Sequence, residues 1–422
     1  MIRIGFSVLL IAALAAAPAR AEWAVSPAGA VTLDGGDFPG VTFAEMSGVT
    51  HVGGARFDVV QDSGGRVLGV DVTFEGGVLT QAAAAAVYPL TAAMDYEGIA
   101  AGANDATFFL SEENSPGVRE VDRATGAVVR ALSIPAVFAS QRGNRGFESL
   151  ARQGPTLWTA NEEALTVDGP AASTSSGSTV RLLRLDIESG APVAQHAYQV
   201  EPIHANGLLS QSGLSDLLVA PDGRLIALER SFAGLASPAY LSRIYELDLA
   251  GATDISQGAL ADGLSGQTYT PVGKRLLWSG SVGAAGQNLE GLALGPQLAD
   301  GSWQLVGVVD NGSGSDPYSG NTVVGFTLSP VTPQVPGDYN GDGTIDQGDY
   351  AAWRRAFGLG HAAGLGADGN GDGVVDAADY TVWRDALSAG GAAPSASPAP
   401  EPTAGLLAAA ALSAVTGFVR RR

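Results

Sequence analysis

Between Glu22 and Val331 the apolar positions fall into runs of four to eight residues, divided by Asp-Gly, Gly-Gly and Pro-Asp-Gly turns. "SDLLVAPDGRLIALERSF", "RLLRLDIESGAPV" and "SRIYELDLAGATDI" show the pattern. Alternation of this length, closed by turn residues that tolerate left-handed backbone, predicts β-hairpins. One stretch departs from it: the alanine run Ala82 to Ala86 carries a helical period. The body of the chain is expected to be all-β.

The hairpins repeat. Ser47-Gly48-Val49 leads to Asp62, Glu97-Gly98-Ile99 to Glu112-Glu113, and Glu148-Ser149-Leu150 to Asn161-Glu162. Ser215-Asp216-Leu217 leads to Glu229-Arg230, and Glu290-Gly291-Leu292 to Asp310-Asn311. Each unit is a polar, small, aliphatic triplet on a buried strand, a turn, and a second strand ending in an acid or amide. The early spacing suits one propeller blade per unit, and the later spacing leaves room for a blade without the motif. A propeller of about six blades is predicted, within a range of five to seven, with a pair of β-sandwiches as the alternative.

In a propeller, equivalent positions of the blades converge on the axis. Asp62, Glu97, Glu113, Glu148, Glu162, Asp216, Glu229, Glu290 and Asp310 would then share one low-dielectric channel. Such a set must be protonated, matched by arginine or bridged by metal. Arg230, Arg142 and Arg145 are the candidate cations, and calcium suits the remaining oxygen ligands.

Composition narrows the setting. The 422 residues include no cysteine, 58 glycines and 16% charged residues, with a net charge of −20 and a single lysine, Lys274. This balance argues against nucleic acid or an anionic membrane as partner. "MIRIGFSVLLIAALAAAPARA" has the basic head, apolar middle and Ala19-Arg20-Ala21 end of a secretory signal peptide (1–21). Export and processing by signal peptidase are therefore expected. Without disulfides, an exported chain must rely on a large core.

Two near-copies follow the body: "DYNGDGTIDQGDYAAWRRAFG" from Asp338 and "DGNGDGVVDAADYTVWRDALS" from Asp368. Loop positions 1, 3, 5, 9 and 12 carry Asp338, Asn340, Asp342, Asp346 and Asp349, then Asp368, Asn370, Asp372, Asp376 and Asp379. The carbonyls of Thr344 and Val374 stand at position 7, and Gly343 and Gly373 supply the sharp turn at position 6. That oxygen-rich ring is calcium chemistry, one ion per loop. The proline-rich "SPVTPQVPG" excludes an entering helix, so each loop has an exiting helix alone. Duplicated half-EF-hands of this kind resemble a type I dockerin (338–390, after a linker at 332–337). The resemblance implies a cohesin partner. The usual Ser/Thr pairs are replaced by Gln347-Gly348 and Ala377-Ala378, so a matrix-binding or self-contained module stands as the alternative.

After a second linker (391–399), Pro400-Glu401-Pro402 precedes sixteen mostly small apolar residues, Ala404 to Val419, and three arginines. This segment (400–422) resembles the PEP-CTERM sorting signal. The resemblance implies transient membrane insertion, cleavage by an exosortase-type enzyme and delivery to the cell surface or outer matrix. A helix of that length spans about 24 Å at ~1.5 Å per residue, short for a bilayer.

"EGIA…FLSEENSPGV", "NRGFESLA…LWTANEEAL", "GLSDLLVAPDGRLIALERSF", "SRIYELDL" and "NLEGLALG…VVDNGS" resemble, in order, the family called esterase-like activity of phytase. The resemblance implies a β-propeller and phosphomonoester or ester hydrolysis. It carries Glu97, Glu113, Glu148, Glu229, Arg230, Glu290, Asp310 and Asn311 as candidate site positions. The chain has no G-x-S-x-G elbow, and its four histidines lack triad or metal spacing. Calcium-assisted hydrolysis is thus the expected enzymatic route, and a non-catalytic propeller that binds a ligand or matrix component is the alternative.

Overall fold

The computed structural model describes residues 22–33, 41, 43–62, 64–92, 94–102, 106–331, 336–358, 367–370 and 374–388. The segments read as signal peptide and sorting signal, most of both linkers, and Asp372 lie outside them. Two compact units divide the chain near Val331.

The first unit is a propeller of five four-stranded antiparallel sheets. Its innermost strands are Met46–Gly53, Tyr96–Ala101, Ala151–Gln153, Leu208–Val219 and Leu289–Gln297. The five triplets therefore mark five blades, and the expectation of six is corrected. The wider later spacing comes from insertions within blades, at 161–177 in the third and 249–272 in the fourth. The fifth blade takes its outer strand from the other end of the body: Glu22–Thr32 pairs antiparallel with Thr322–Val331 and closes the ring. The alanine run is also corrected. It lies in the strand Val78–Pro89, paired with Arg66–Glu75, where ladder hydrogen bonds and neighbouring strands override the helical preference of alanine.

Five apolar clusters fill the five interfaces between blades. Val60 and Val67 meet Tyr96, Ile99, Phe108 and Leu110 between blades one and two. Trp23 and Val25 meet Ile226, Leu228, Leu289 and Phe326 between four and five. The others join two to three, three to four and five to one. Each buried Leu, Val or Phe contributes about 1.5–3 kcal/mol, so the ring is held without disulfides. Near the axis the inner strands approach backbone to backbone. A Cβ on Gly291 would stand 2.3 Å from the Ser47 carbonyl oxygen, which explains the small residue in the middle of that triplet.

In the second unit two helices, Gln347–Ala356 and Ala377–Ser388, follow the two loops. Asp349 is fully buried and accepts from the Tyr339, Asn340 and Asp346 amides at 2.7, 3.0 and 2.7 Å. Asp379 does the same with Gly369, Asn370 and Asp376, at 2.8, 3.1 and 2.7 Å. The repeats also lock onto each other: Trp353 Nε1 donates to the Asp376 carbonyl and Trp383 Nε1 to the Asp346 carbonyl, both at 2.9 Å. Replacing Asp379 with Ala orphans three buried amides and the start of the second helix. It is expected to destabilise this unit by about 2–4 kcal/mol and to remove one calcium equivalent, read by calorimetric titration.

Candidate functional site: an acidic bowl at the propeller axis

The first residue of each triplet, and the residue two places before it, stand at the axial start of the inner strands, where in four of the five blades a bulge interrupts the ladder to the second strand. Those positions are Glu45 and Ser47, Asp95 and Glu97, Gly146 and Glu148, Gly213 and Ser215, and Asn288 and Glu290. Second-strand ends add Asp62, Glu113, Glu162, Arg230 and Asp310. They form a nearly continuous ring of acids around one end of the channel.

Two groups within the ring are tight. Oxygens of Glu113, Glu148 and Glu162 lie within 4.8 Å of one another, as do those of Asp62, Asp95 and Glu97. Glu148 is buried, and among the described residues no N–H or hydroxyl donates to it; its partner is the Glu113 carboxyl. Glu97 accepts from Ser47 Oγ at 2.5 Å. Arg230 crosses the bowl, with Nη1 donating to Glu290 at 2.6 Å and to Asn288 at 2.7 Å, and Nη2 to Glu162. Arg145 caps the other Glu162 oxygen at 2.8 Å and also holds Gln211. Asn288 links Glu290 to Asp310, at 2.9 and 3.3 Å.

Burial dominates the electrostatics. It raises Glu148 and Glu97 well above the usual carboxylate range, and their acidic neighbours add to the effect. It lifts Glu113 to about 7 despite the bond to Glu148. Glu290 goes to about 8, with Asp310 pushing up and Arg230 pulling down. Asp62 goes to about 9 through burial and Asp95. Such acids either hold protons or exchange them for a cation.

Not every residue expected at the axis reaches the bowl. Glu229 and Arg230 are adjacent in one strand and so point to opposite faces. Glu229 turns to the interface with blade three, where Tyr198 Oη, the Glu201 amide and Lys274 donate to it at 2.6, 2.9 and 2.7 Å. Asn311 accepts from the Glu45 amide at 3.0 Å and donates to Asn321 at 2.8 Å, tying a loop. Arg142 donates to the carbonyls of Ala164 and Gly169, at 2.9 and 2.6 Å. Asp216 accepts the Leu217 and Leu292 amides at 2.8 and 2.7 Å and so staples blade four to blade five. Asp95, Gln211 and Asn288 belong to the bowl and carry no motif. The signal for Asp95 and Asn288 is position alone, two residues before a triplet.

Among the described residues, the opposite end of the channel carries no carboxylate, and Thr50 and His51 join aliphatic residues in its lining. A cavity of about 390 Å³ there is lined by Val49, Ile99, Leu150, Leu217 and Leu292, with Arg152 at its edge.

Residues 41–312 match the phytase-like family described as esterase-like activity of phytase. The chain belongs to that family. Residues 336–388 match the dockerin type I domain, a module that binds calcium and typically a cohesin partner. The loops fit that ion: their donors are all oxygens, with Gly343 turning the first loop at φ +83°. No curated protein matches the sequence. Several solved structures are similar. They include a member of the DUF4221 family from Bacteroides vulgatus (8% identity, 74% of this chain and 99% of that one, TM-score 0.36). Another is a carbohydrate-active enzyme of family AA12 from Trichoderma reesei (10%, 73% and 98%, TM-score 0.35). A third is a streptogramin B lyase (9%, 73% and 98%, TM-score 0.31).

Proposed function

We propose that the protein is an exported, surface-associated hydrolase of phosphoesters or esters whose propeller works with calcium at the acidic bowl. The observation that carries this reading is the triad Glu113, Glu148 and Glu162, with Glu148 buried and without an N–H or hydroxyl donor. Oxygen-only donors of this charge fit a hard divalent cation. Bound there, calcium would neutralise charge on phosphate oxygens and favour deprotonation of water. The chain's own part is positioning and proton transfer. Arg230 and Arg145 hold Glu162 in place, and Arg230 fixes Glu290. Glu290, outside the triad and raised to about 8, is poised to exchange a proton near neutral pH.

The remaining parts of the proposal concern placement. The dockerin module, with its two loops loaded with calcium, joins the enzyme to a cohesin or a matrix component. The terminal segments direct export and sorting. Among the described residues no helix is long and apolar enough to cross a membrane. A mature amino terminus at Glu22, read by mass spectrometry of secreted protein, tests the first of these.

A second reading, a non-catalytic binding propeller, is favoured by the engagement of both terminal nitrogens of Arg230 with carboxylates and Asn288. Glu148→Gln separates the two. The hydrolase reading expects the variant to bind one calcium fewer than the parent chain. It also expects phosphate release from a chromogenic monoester to fall by at least about tenfold, as for loss of a metal ligand. Unchanged calcium stoichiometry and turnover would sink it.

A further inference from the structure

The three most exposed large apolar side chains among the described residues stand together at one rim of the propeller. Leu208 is 62% exposed, Leu209 81% and Leu235 82%. Two of them are held in left-handed backbone, Leu209 at φ +54° and Leu235 at φ +70°. That conformation is costly for any side chain with a Cβ and is normally given to Gly or Asn. Leu209 sits where the ladder slips, between the pairs Leu208–Gly234 and Gln211–Phe232. A strained backbone that presents leucine to water is unfavourable twice over, and such combinations mark binding surfaces.

The rim is connected to the bowl. Gln211, two residues past Leu209, holds Arg145, which holds Glu162. Phe232 follows Arg230 by two residues in a regular ladder, so both lie on one strand face, one step of about 7 Å apart. Phe232, Tyr240 and Tyr318 form a ring cluster, with centroids 4.6, 6.3 and 6.3 Å apart. The Leu235 amide donates to Tyr318 Oη at 3.2 Å. An apolar wall thus rises from the edge of a highly charged site.

We propose that Leu208, Leu209 and Leu235, backed by these rings, receive the alkyl or aryl group of an amphiphilic phosphomonoester whose head enters the acidic bowl. This rests on the hydrolase reading and deepens it. A substrate that is polar on every side would leave the wall wet, whereas one with an apolar tail offers both regions a partner. A hydrophobic pocket discriminates by the number of methylenes it covers, up to about fourfold for each one fully buried.

The test is a calorimetric series on the full chain in calcium, with methyl-, butyl- and octylphosphonate as non-hydrolysable probes. The parent chain is expected to bind the octyl compound at least about tenfold tighter than the methyl compound. Leu209→Asn and Leu235→Asn, which suit left-handed backbone and so preserve the fold, are expected to flatten that gradient and leave methylphosphonate affinity unchanged. Equal affinities along the series in the parent chain would overturn the wall alone. Failure of methylphosphonate to bind, together with no phosphate release, would overturn the hydrolase reading beneath it. Self-association of the parent chain that both variants abolish, seen by sedimentation, would assign the leucines to a second copy and overturn the proposal.

Discussion

Replacing Arg230 with Met is expected to lower the stability of the propeller by about 3–5 kcal/mol, the usual cost of removing one partner from a buried ion pair. Arg230 is buried, and its guanidinium meets Glu162 and Glu290 from different blades, the third and the fifth. Methionine replaces the apolar stem of the side chain but returns no guanidinium, so both carboxylates must take protons or admit water. Arg145→Met is the control. Its side chain is one-third exposed and shares Glu162 with Arg230, so water replaces much of what it supplies. The loss there should stay near 1 kcal/mol. Urea denaturation of the full chain, followed by tryptophan fluorescence, reads both. Adding Glu162→Gln and Glu290→Gln to Arg230→Met should recover much of the loss, because the destabilisation comes from stranded charge. A loss unchanged by those additions would show that packing, not charge, is what Arg230 supplies.

The same residue shows how far the sequence could be read. The triplets at Ser47, Glu97, Ser215 and Glu290 land on innermost strands and the one at Glu148 immediately precedes the strand Ala151–Gln153, because small or polar residues are needed where strands crowd the axis. Strand content and the acidic end of the channel were legible for that reason. Blade number was not, since an insertion such as 249–272 lengthens a blade as effectively as an extra blade lengthens the spacing. Nor was the closure by Glu22–Thr32, a pairing across almost the whole body. Within the site, Glu229 and Arg230 were equivalent as letters; the ladder decides which one faces the axis. Asp95 and Asn288 were missed because they lie outside the triplet, two residues before it and ahead of the strand. The dockerin repeat was legible as a module, because its oxygen-bearing residues come from continuous segments and need no tertiary contact to be aligned.

Stability of the cation-free propeller is expected to fall as pH rises from about 5 to 9, the reverse of the usual behaviour of carboxylate-rich proteins. The sign follows from the direction of the shifts. Glu290 moves from 4.5 to about 8, Glu113 from 4.5 to about 7 and Asp62 from 3.8 to about 9, each chiefly through burial. Between the unfolded and folded values the native bowl holds more protons than the unfolded chain, so raising the pH favours unfolding. The contribution is complete below about pH 4 and is lost as the pH passes the folded values. At ~1.4 kcal/mol per unit, Glu290 by itself represents on the order of 4 kcal/mol across that window. The acids titrate as a set, so the slope belongs to the bowl rather than to any one residue. Calcium should weaken this dependence, because a cation held by Glu113, Glu148 and Glu162 stabilises the ionised form that burial penalises, while the share of Glu290 and Asp62 remains. Scanning calorimetry separates the propeller transition from that of the calcium-loop unit and provides the measurement, in EDTA and in millimolar calcium at several pH values. A propeller Tm that falls with pH in EDTA and falls less steeply in calcium is the expected pair of curves. A Tm that falls equally in both would leave the protons in place and take calcium out of the bowl.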